Sequence, residues 1–169
     1  MTEQREKVVV PARYSRVDPW VISTDTAAEI AFLEAAFQAR ETPGSRMVGP
    51  DGRIGHVEVE IGDAVIMMFD AGPEWPATPS HLRVYVADTQ EAVDRAVAAG
   101  ARVVTQPTEL AFGERVARVR DSHGHLWWVH ERFEDVDPTD LASRFADPAA
   151  QQAMAYVQDS LTNEMSRVR

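Results

Sequence analysis

Apolar and polar positions recur along the chain with the two periods that define strands and helices. Pro19-Trp20-Val21-Ile22-Ser23 reads as a short strand. Asp25 and the threonines beside it are helix-capping types, and Ile30, Phe32, Leu33, Ala36 and Phe37 follow at helical spacing within the Ala-rich stretch 27–39. Thr42-Pro43-Gly44 stops that helix, Arg46 to Val48 reads as a short strand, and Gly49-Pro50-Asp51-Gly52 is a turn. His56 to Ile61 alternates polar and apolar, Gly62-Asp63 turns the chain, and Ala64 to Phe69 is an apolar strand. Asp70 to Ser80 carries three prolines and reads as a linker.

The pattern then starts again. His81 to Val86 is a strand, Asp88-Thr89 opens a helix, Glu91 to Ala99 continues it and Gly100 ends it. Arg102-Val103-Val104 is a strand, and Gln106 to Gly113 reads as a loop. Glu114 to Arg120 alternates, Asp121-Ser122-His123-Gly124 turns, and His125 to Glu131 is the last strand. Asp88-Thr89 follows Asp25-Thr26 by 63 residues, and at the same offset Val84 matches Val21 and Ala98-Ala99 matches Ala35-Ala36. Such self-similarity predicts a duplicated unit. A sheet with one helix covers only one of its faces, so two copies can share the uncovered faces as a cavity. The predicted fold class is α+β: two tandem βαβββ modules forming curved mixed sheets around a cavity, with helices after them. The boundaries predicted are an arm at 1–17, a first module at 18–72, a linker at 73–80, a second module at 81–133 and a helical extension at 134–169.

Composition narrows the chemistry. There is no cysteine, which removes disulfides, thiolate nucleophiles and Cys-based metal sites. Lys7 is the only lysine, which disfavours Schiff-base chemistry. The net charge of −10 with no basic run argues against nucleic acid as a partner. No apolar stretch approaches the ~20 residues of a membrane span. Met1 to Lys7 has no apolar core of a secretory signal, so the expected location is cytoplasmic.

Several runs resemble the glyoxalase/bleomycin-resistance/dioxygenase (vicinal oxygen chelate) superfamily. These are Gly55-His56-Val57-Glu58-Val59-Glu60-Ile61-Gly62-Asp63 with the strand after it, Val86-Ala87-Asp88-Thr89 with its helix ending Ala98-Ala99-Gly100, and Arg120-Asp121-Ser122-His123-Gly124-His125. The last resembles the family's Arg-Asp-Pro-x-Gly-His closure with Ser122 in place of proline. Glu134-Asp135-Val136 and Pro138 resemble the tail of one glyoxalase-like branch. The resemblance implies the duplicated fold but not one reaction, because the family includes lyases, epimerases, dioxygenases, thiol transferases and drug-binding proteins.

In metal-dependent members, each of four central strands supplies one ligand. Carried over by position, these fall on Asp18, Met67, His81 and Trp128. Met67 is a weak donor to a hard or borderline cation and Trp128 offers only an N–H, leaving His81 and Asp18 as weak metal candidates. A different set, His56, His81 and His130, would be unusual for the family. The expectation is therefore no cofactor, with a divalent metal as the alternative. Alternation turns Trp20, Met67, Phe69, Glu58, His81, Arg83, Tyr85, Trp128 and His130 toward the cavity, where aromatic walls with a few polar groups suit an organic ligand, aromatic or cationic. His81, His130 and Glu58 are the weak catalytic candidates. His123 and His125 read as turn residues.

Function is thus expected to be metal-free sequestration of a small molecule, with a metal-dependent lyase, epimerase or dioxygenase as the alternative and a metal-free enzyme using His81 or His130 as base as a third. Beyond residue 135 two helices meet near Asp147-Pro148. Met154, Val157, Leu161 and Met165 form an apolar stripe on the second, to pack on its own domain or on the partner of a homodimer.

Overall fold

The computed structural model describes residues 10–167, so the start of the predicted arm, with Lys7, lies outside the described residues. The elements are β1 (Trp20–Ser23), α1 (Thr26–Phe37), β2 (Arg40–Glu41), β3 (Met47–Val48), β4 (Ile54–Ile61), β5 (Ala64–Asp70), β6 (His81–Tyr85), α2 (Thr89–Ala98), β7 (Arg102–Leu110), β8 (Glu114–Arg120), β9 (Leu126–Arg132), α3 (Leu141–Ala146) and α4 (Pro148–Arg167). The class is α+β, with two mixed sheets and C-terminal helices. The chain divides into two compact units, Met1–Ile30 with Gln38–Thr78, and Ala31–Phe37 with Pro79–Arg169.

In the first unit the strand order is β1-β5-β4-β2, with β3 paired to the free stretch of β4. β1 runs parallel to β5 and the rest are antiparallel. Period-two alternation gives the sheet one apolar face: Val21, Val57, Val59, Ile66 and Met68 are each exposed by 4% or less. Each such side chain contributes about 1.5–3 kcal/mol when buried. The opposite face carries Trp20, Met67 and Glu58 in one register row. Gly62 turns the β4–β5 hairpin with φ +62°, a conformation glycine adopts without strain.

The second unit repeats the order as β6-β9-β8-β7, again with its first strand parallel to its last. Helix α2 packs on β7, β8 and β9 through Ala92, Val93 and Ala96, and Ala117, Val119, Trp127 and Val129 are buried on the sheet. The Phe37 ring lies 5.0 Å from that of Trp127. The duplication reaches down to the helix caps. Asp25 accepts the Ala28 amide and Asp88 the Glu91 amide, both at 2.9 Å. A carboxylate from the last strand of each module then takes the next amide: Asp70 from Thr26 at 2.8 Å and Glu131 from Thr89 at 2.9 Å. Donors that would be orphaned at a helix start are satisfied by negative charge, twice in the same way.

Two boundaries differ from the sequence pattern. Helix α1 ends at Phe37 rather than Ala39, because Gln38 takes a left-handed φ of +58° and the chain enters β2, which the pattern did not predict. The segment predicted as a loop at Gln106 to Gly113 is largely strand: β7 runs to Leu110, and register shifts on either side of Thr105 accommodate Pro107, which cannot donate to the ladder. Gly113 then turns into β8 with φ +81°, and a Cβ there would lie 2.3 Å from the Glu134 carbonyl oxygen.

Asp147 leaves the helical conformation after α3 and accepts the Ala149 amide at 2.8 Å, so α4 starts at Pro148 as predicted. The buried line of α4 follows the predicted stripe through Met154, Val157 and the half-buried Leu161 and departs from it at Met165. Val157 packs with Leu110 and Val116, and Met154 lies against this cluster, but Met165 is 41% exposed. Instead Ser160 bonds Thr105 at 2.8 Å, and Glu164 is drawn inward by Arg102 at 2.7 Å and by Arg120. Near the end of the helix, two arginines on the sheet thus turn a carboxylate, not an apolar side chain, inward.

Candidate functional site

The side chains opposite each sheet's apolar face form two groups, one in each unit. In the first, Trp20 meets His56 edge-on at 5.7 Å and Phe69 at 5.5 Å, and Phe69 meets Trp75 at 5.9 Å. Glu58 is 8% exposed. One of its oxygens accepts the Tyr14 hydroxyl at 2.6 Å and the other the Arg13 guanidinium at 2.8 Å, and Arg13 also donates to Thr42 at 3.1 Å. The Tyr14 bond, helped by Arg13 and working against burial, holds the Glu58 carboxyl below its ordinary range. The same bond pushes the Tyr14 phenol up. The arm thus lies over the sheet, and with Asp18 and Met67 it lines a cavity of about 530 Å³. Asp18 precedes β1 and accepts the Ser15 amide at 2.9 Å.

In the second unit, register sets two rows across three strands. Arg83, Trp128 and Arg118 form one row; Tyr85, His130 and Val116 form the next. His130 is 7% exposed. Its Nδ1 lies 2.7 Å from Glu114, whose other oxygen accepts the Tyr85 hydroxyl at 3.0 Å. Burial pushes Glu114 up, but the bonds from His130 and Tyr85 outweigh it and leave its carboxyl below the usual range. Burial holds His130 below the usual imidazole range despite that carboxylate. The ring is therefore neutral near pH 7, with Nδ1–H donating to Glu114. Its buried Nε2 has no hydrogen-bond partner.

Arg118 is 3% exposed and its guanidinium stacks 3.8 Å from the centroid of Trp128. Nη1 donates to Thr105 and to the Val157 carbonyl, while the buried Nε has no partner. Arg83 is exposed and lies 5.1 Å over the Tyr85 ring. His81 is exposed at the start of β6. In the β8–β9 turn, Asp121 accepts the His123 and His125 amides and the Trp127 indole N–H, and the His125 Nδ1 accepts the Ser80 amide at 3.0 Å.

The structure therefore places Trp20, Glu58, Met67 and Phe69 on one face of the first sheet. It places His81, Arg83, Tyr85, Trp128 and His130 on one face of the second. Sequence reasoning missed Arg13, Tyr14, Glu114 and Arg118. The alternation of Glu114 to Arg120 was visible, but its pairing register to β9 was not. Among the described residues, no three His, Asp or Glu side chains gather as a metal cluster, and no helix is long and apolar enough to cross a membrane.

An uncharacterized protein of Mycobacterium tuberculosis is 29% identical over 136 residues, covering 74% of this chain and 79% of the relative. Among solved structures, TioX from Micromonospora sp. ML1 is 26% identical with a TM-score of 0.55, covering 69% of this chain and 99% of TioX. The fosfomycin resistance protein FosX from Mesorhizobium loti is 16% identical with a TM-score of 0.52, covering 76% of this chain and 97% of FosX, a likeness of fold. The family model for the Glyoxalase/Bleomycin resistance protein/Dioxygenase superfamily matches residues 15–129. With two modules of the same strand order and the same helix caps, this chain belongs to that superfamily.

Proposed function

We propose that this chain binds a small organic molecule without a metal, on the face of the second sheet that carries Tyr85, Trp128 and His130. The observation that carries this reading is the buried Nε2 of His130, which has no partner. A buried polar atom without a partner costs free energy, and a bound ligand that donates to it removes that cost. Glu114 fixes the imidazole tautomer and Tyr85 fixes Glu114, so the acceptor is held ready before a ligand arrives. Aromatic rings beside a few oriented polar groups are the usual wall of a small-molecule site.

The donor chemistry does not fit a divalent ion. Of the four positions the family resemblance assigns to ligands, Met67 offers a thioether and Trp128 an N–H, and the Trp128 ring carries the Arg118 guanidinium on its face. A cation held there would meet another cation. The alternative of a metal-dependent enzyme is answered by elemental analysis of protein purified without an affinity tag, where a stoichiometric metal overturns this reading. A thermal-shift screen of small organic molecules against the wild type and His130→Ala tests binding directly. The expected result is a ligand that raises the Tm of the wild type and does so at least tenfold less effectively for the variant.

A second reading has one observation in its favour. A neutral imidazole oriented by a carboxylate is a general base in form, and Nε2 is the atom that would take a substrate proton. For any molecule the screen retains, loss of wild-type-catalysed deuterium exchange in His130→Ala supports this reading, and no exchange with the wild type removes it.

A further inference from the structure

Two arginines on the face of the second sheet, Arg118 and Arg83, make no salt bridge among the described residues, and Glu114, the carboxylate that acts on Arg83, is already hydrogen-bonded to His130 and Tyr85. Arg118 is 3% exposed, yet its Nη1 donates only to neutral oxygens, those of Thr105 and Val157. The arginines on either side of it on β8 are treated differently: Arg120 pairs with Glu164, and Arg115 with Glu109 and Glu131. Among the described residues no carboxylate pairs with Arg118 or with Arg83. The chain has 27 acidic and 17 basic residues, so acidic partners are abundant and are not supplied at this point. A guanidinium taken out of water without a counter-ion is strongly disfavoured. Burial already pulls Arg118 down to about 10.

The same face holds a second unmet demand. The Nε2 of His130, one row along, has no partner, and neither has the Nε of Arg118. Arg83 on β6 and Arg118 on β8 flank Trp128 within one row, the first exposed and the second buried. One N–H donor, one free guanidinium and one acceptor are therefore arranged around two aromatic rings.

We infer that this face receives a small organic oxyanion, a carboxylate or a phosphonate, whose charge is met by Arg118 and Arg83 and whose own hydroxyl or N–H donates to His130. The inference rests on the binding reading above and deepens it by naming the ligand's charge. It runs against the cationic ligand that the acidic residues of the first module suggested, because Glu58 is already met by Arg13 and Tyr14 within this chain. A planar guanidinium suits such a ligand, since its N–H groups match the spacing of paired oxygens.

The probes are mandelate, phenylphosphonate and benzyltrimethylammonium, titrated by calorimetry at 0.15 M salt into the wild type, Arg118→Gln, Arg83→Gln and Arg118→Lys. Mandelate and phenylphosphonate separate a carboxylate source from a phosphonate source. The expected result is binding of at least one anion to the wild type, weakened at least tenfold in Arg118→Gln and at least threefold in Arg83→Gln. Arg118→Lys keeps a donor for the Val157 carbonyl but not the guanidinium. It is expected to retain the α4 proteolysis pattern and still lose anion affinity, which a purely structural tether would not do. Should Arg118→Gln not fold, the exposed Arg83 carries the test. Equal anion binding by all four proteins overturns the inference, as does binding of the ammonium probe alone. In the second case ligand binding itself stands; if no probe and no screened molecule binds, both readings fail.

Discussion

The Tyr14 hydroxyl donates to Glu58 across 2.6 Å, joining the N-terminal arm to the middle of β4 in the first unit. Arg13 adds a bond to the other oxygen, from a backbone at φ +85° that non-glycine residues seldom take. An unfavourable backbone angle persists where side-chain bonds hold it. Tyr14→Phe removes the bond that does most to keep the Glu58 carboxyl ionised. The expected outcome is a Glu58 carboxyl that titrates at higher pH, followed by NMR of the side-chain carboxyl carbon, and faster proteolytic cleavage of the arm. An unchanged Glu58 titration would mean that Arg13 alone sets it.

Much of this arrangement was legible in the chain and some of it was not, for a physical reason in each case. His81, Arg83 and Tyr85 fall on one face because strand side chains alternate, and Leu82 and Val84 mark the other face by their apolarity. The same logic grouped Trp128 with His130. Glu114 and Arg118 escaped because a partner across a sheet depends on register, and the β8–β9 register is fixed by a turn whose key bonds run from Asp121 to backbone amides. Arg13 and Tyr14 escaped because an arm without periodicity gives no facing. Gln38 ended α1 early through a left-handed angle that residue type alone does not announce.

Glu114 joins Tyr85 to His130, and its removal has a stability cost set by the two bonds it accepts. Glu114→Ala leaves the His130 Nδ1–H buried without an acceptor and the Tyr85 hydroxyl without its partner. A buried donor left unmet costs about 1–3 kcal/mol. For a chain of this size each kcal/mol lowers Tm by roughly 2–4 °C, so a drop of roughly 2–12 °C is expected by calorimetry. Glu114→Gln keeps an acceptor for one of the two donors and should lose less than half as much.

Gly113 links β7 to β8 where the chain after β9 crosses behind it. Its φ is +81°, and an added Cβ would meet the Glu134 carbonyl oxygen at 2.3 Å, a backbone atom that cannot rotate away. Gly113 O also accepts the Phe133 and Glu134 amides, so moving the turn breaks two bonds. Gly113→Ala is expected to cost about 3 kcal/mol or more, combining left-handed strain with the clash. Gly100→Ala has φ +100° and no neighbour within 4 Å, so it should show the strain without the clash and lose less in urea unfolding.

Acid should unfold the protein in two stages. Burial holds His125 and His130 below the ordinary imidazole value, so their unfolded forms bind protons first. A depressed folded pKa means this share of stability is complete above the unfolded value of about 6.5 and declines as pH falls through and below it. Glu58, Glu114, Glu131 and Glu164 are also held below their ordinary value by the bonds they accept, several of them against burial. Their share is complete above the unfolded value of about 4.3 and is lost only below it. Tm measured by calorimetry should therefore slope downward from pH 7 to 5 and fall more steeply below about 4.5. His125→Asn keeps an acceptor for the Ser80 amide and removes one titrating ring. It should flatten the upper slope while leaving the lower one in place. A variant that kept the wild-type slope between pH 7 and 5 would assign that stage to His130 alone, and His130→Asn would then be the protein whose curve runs level.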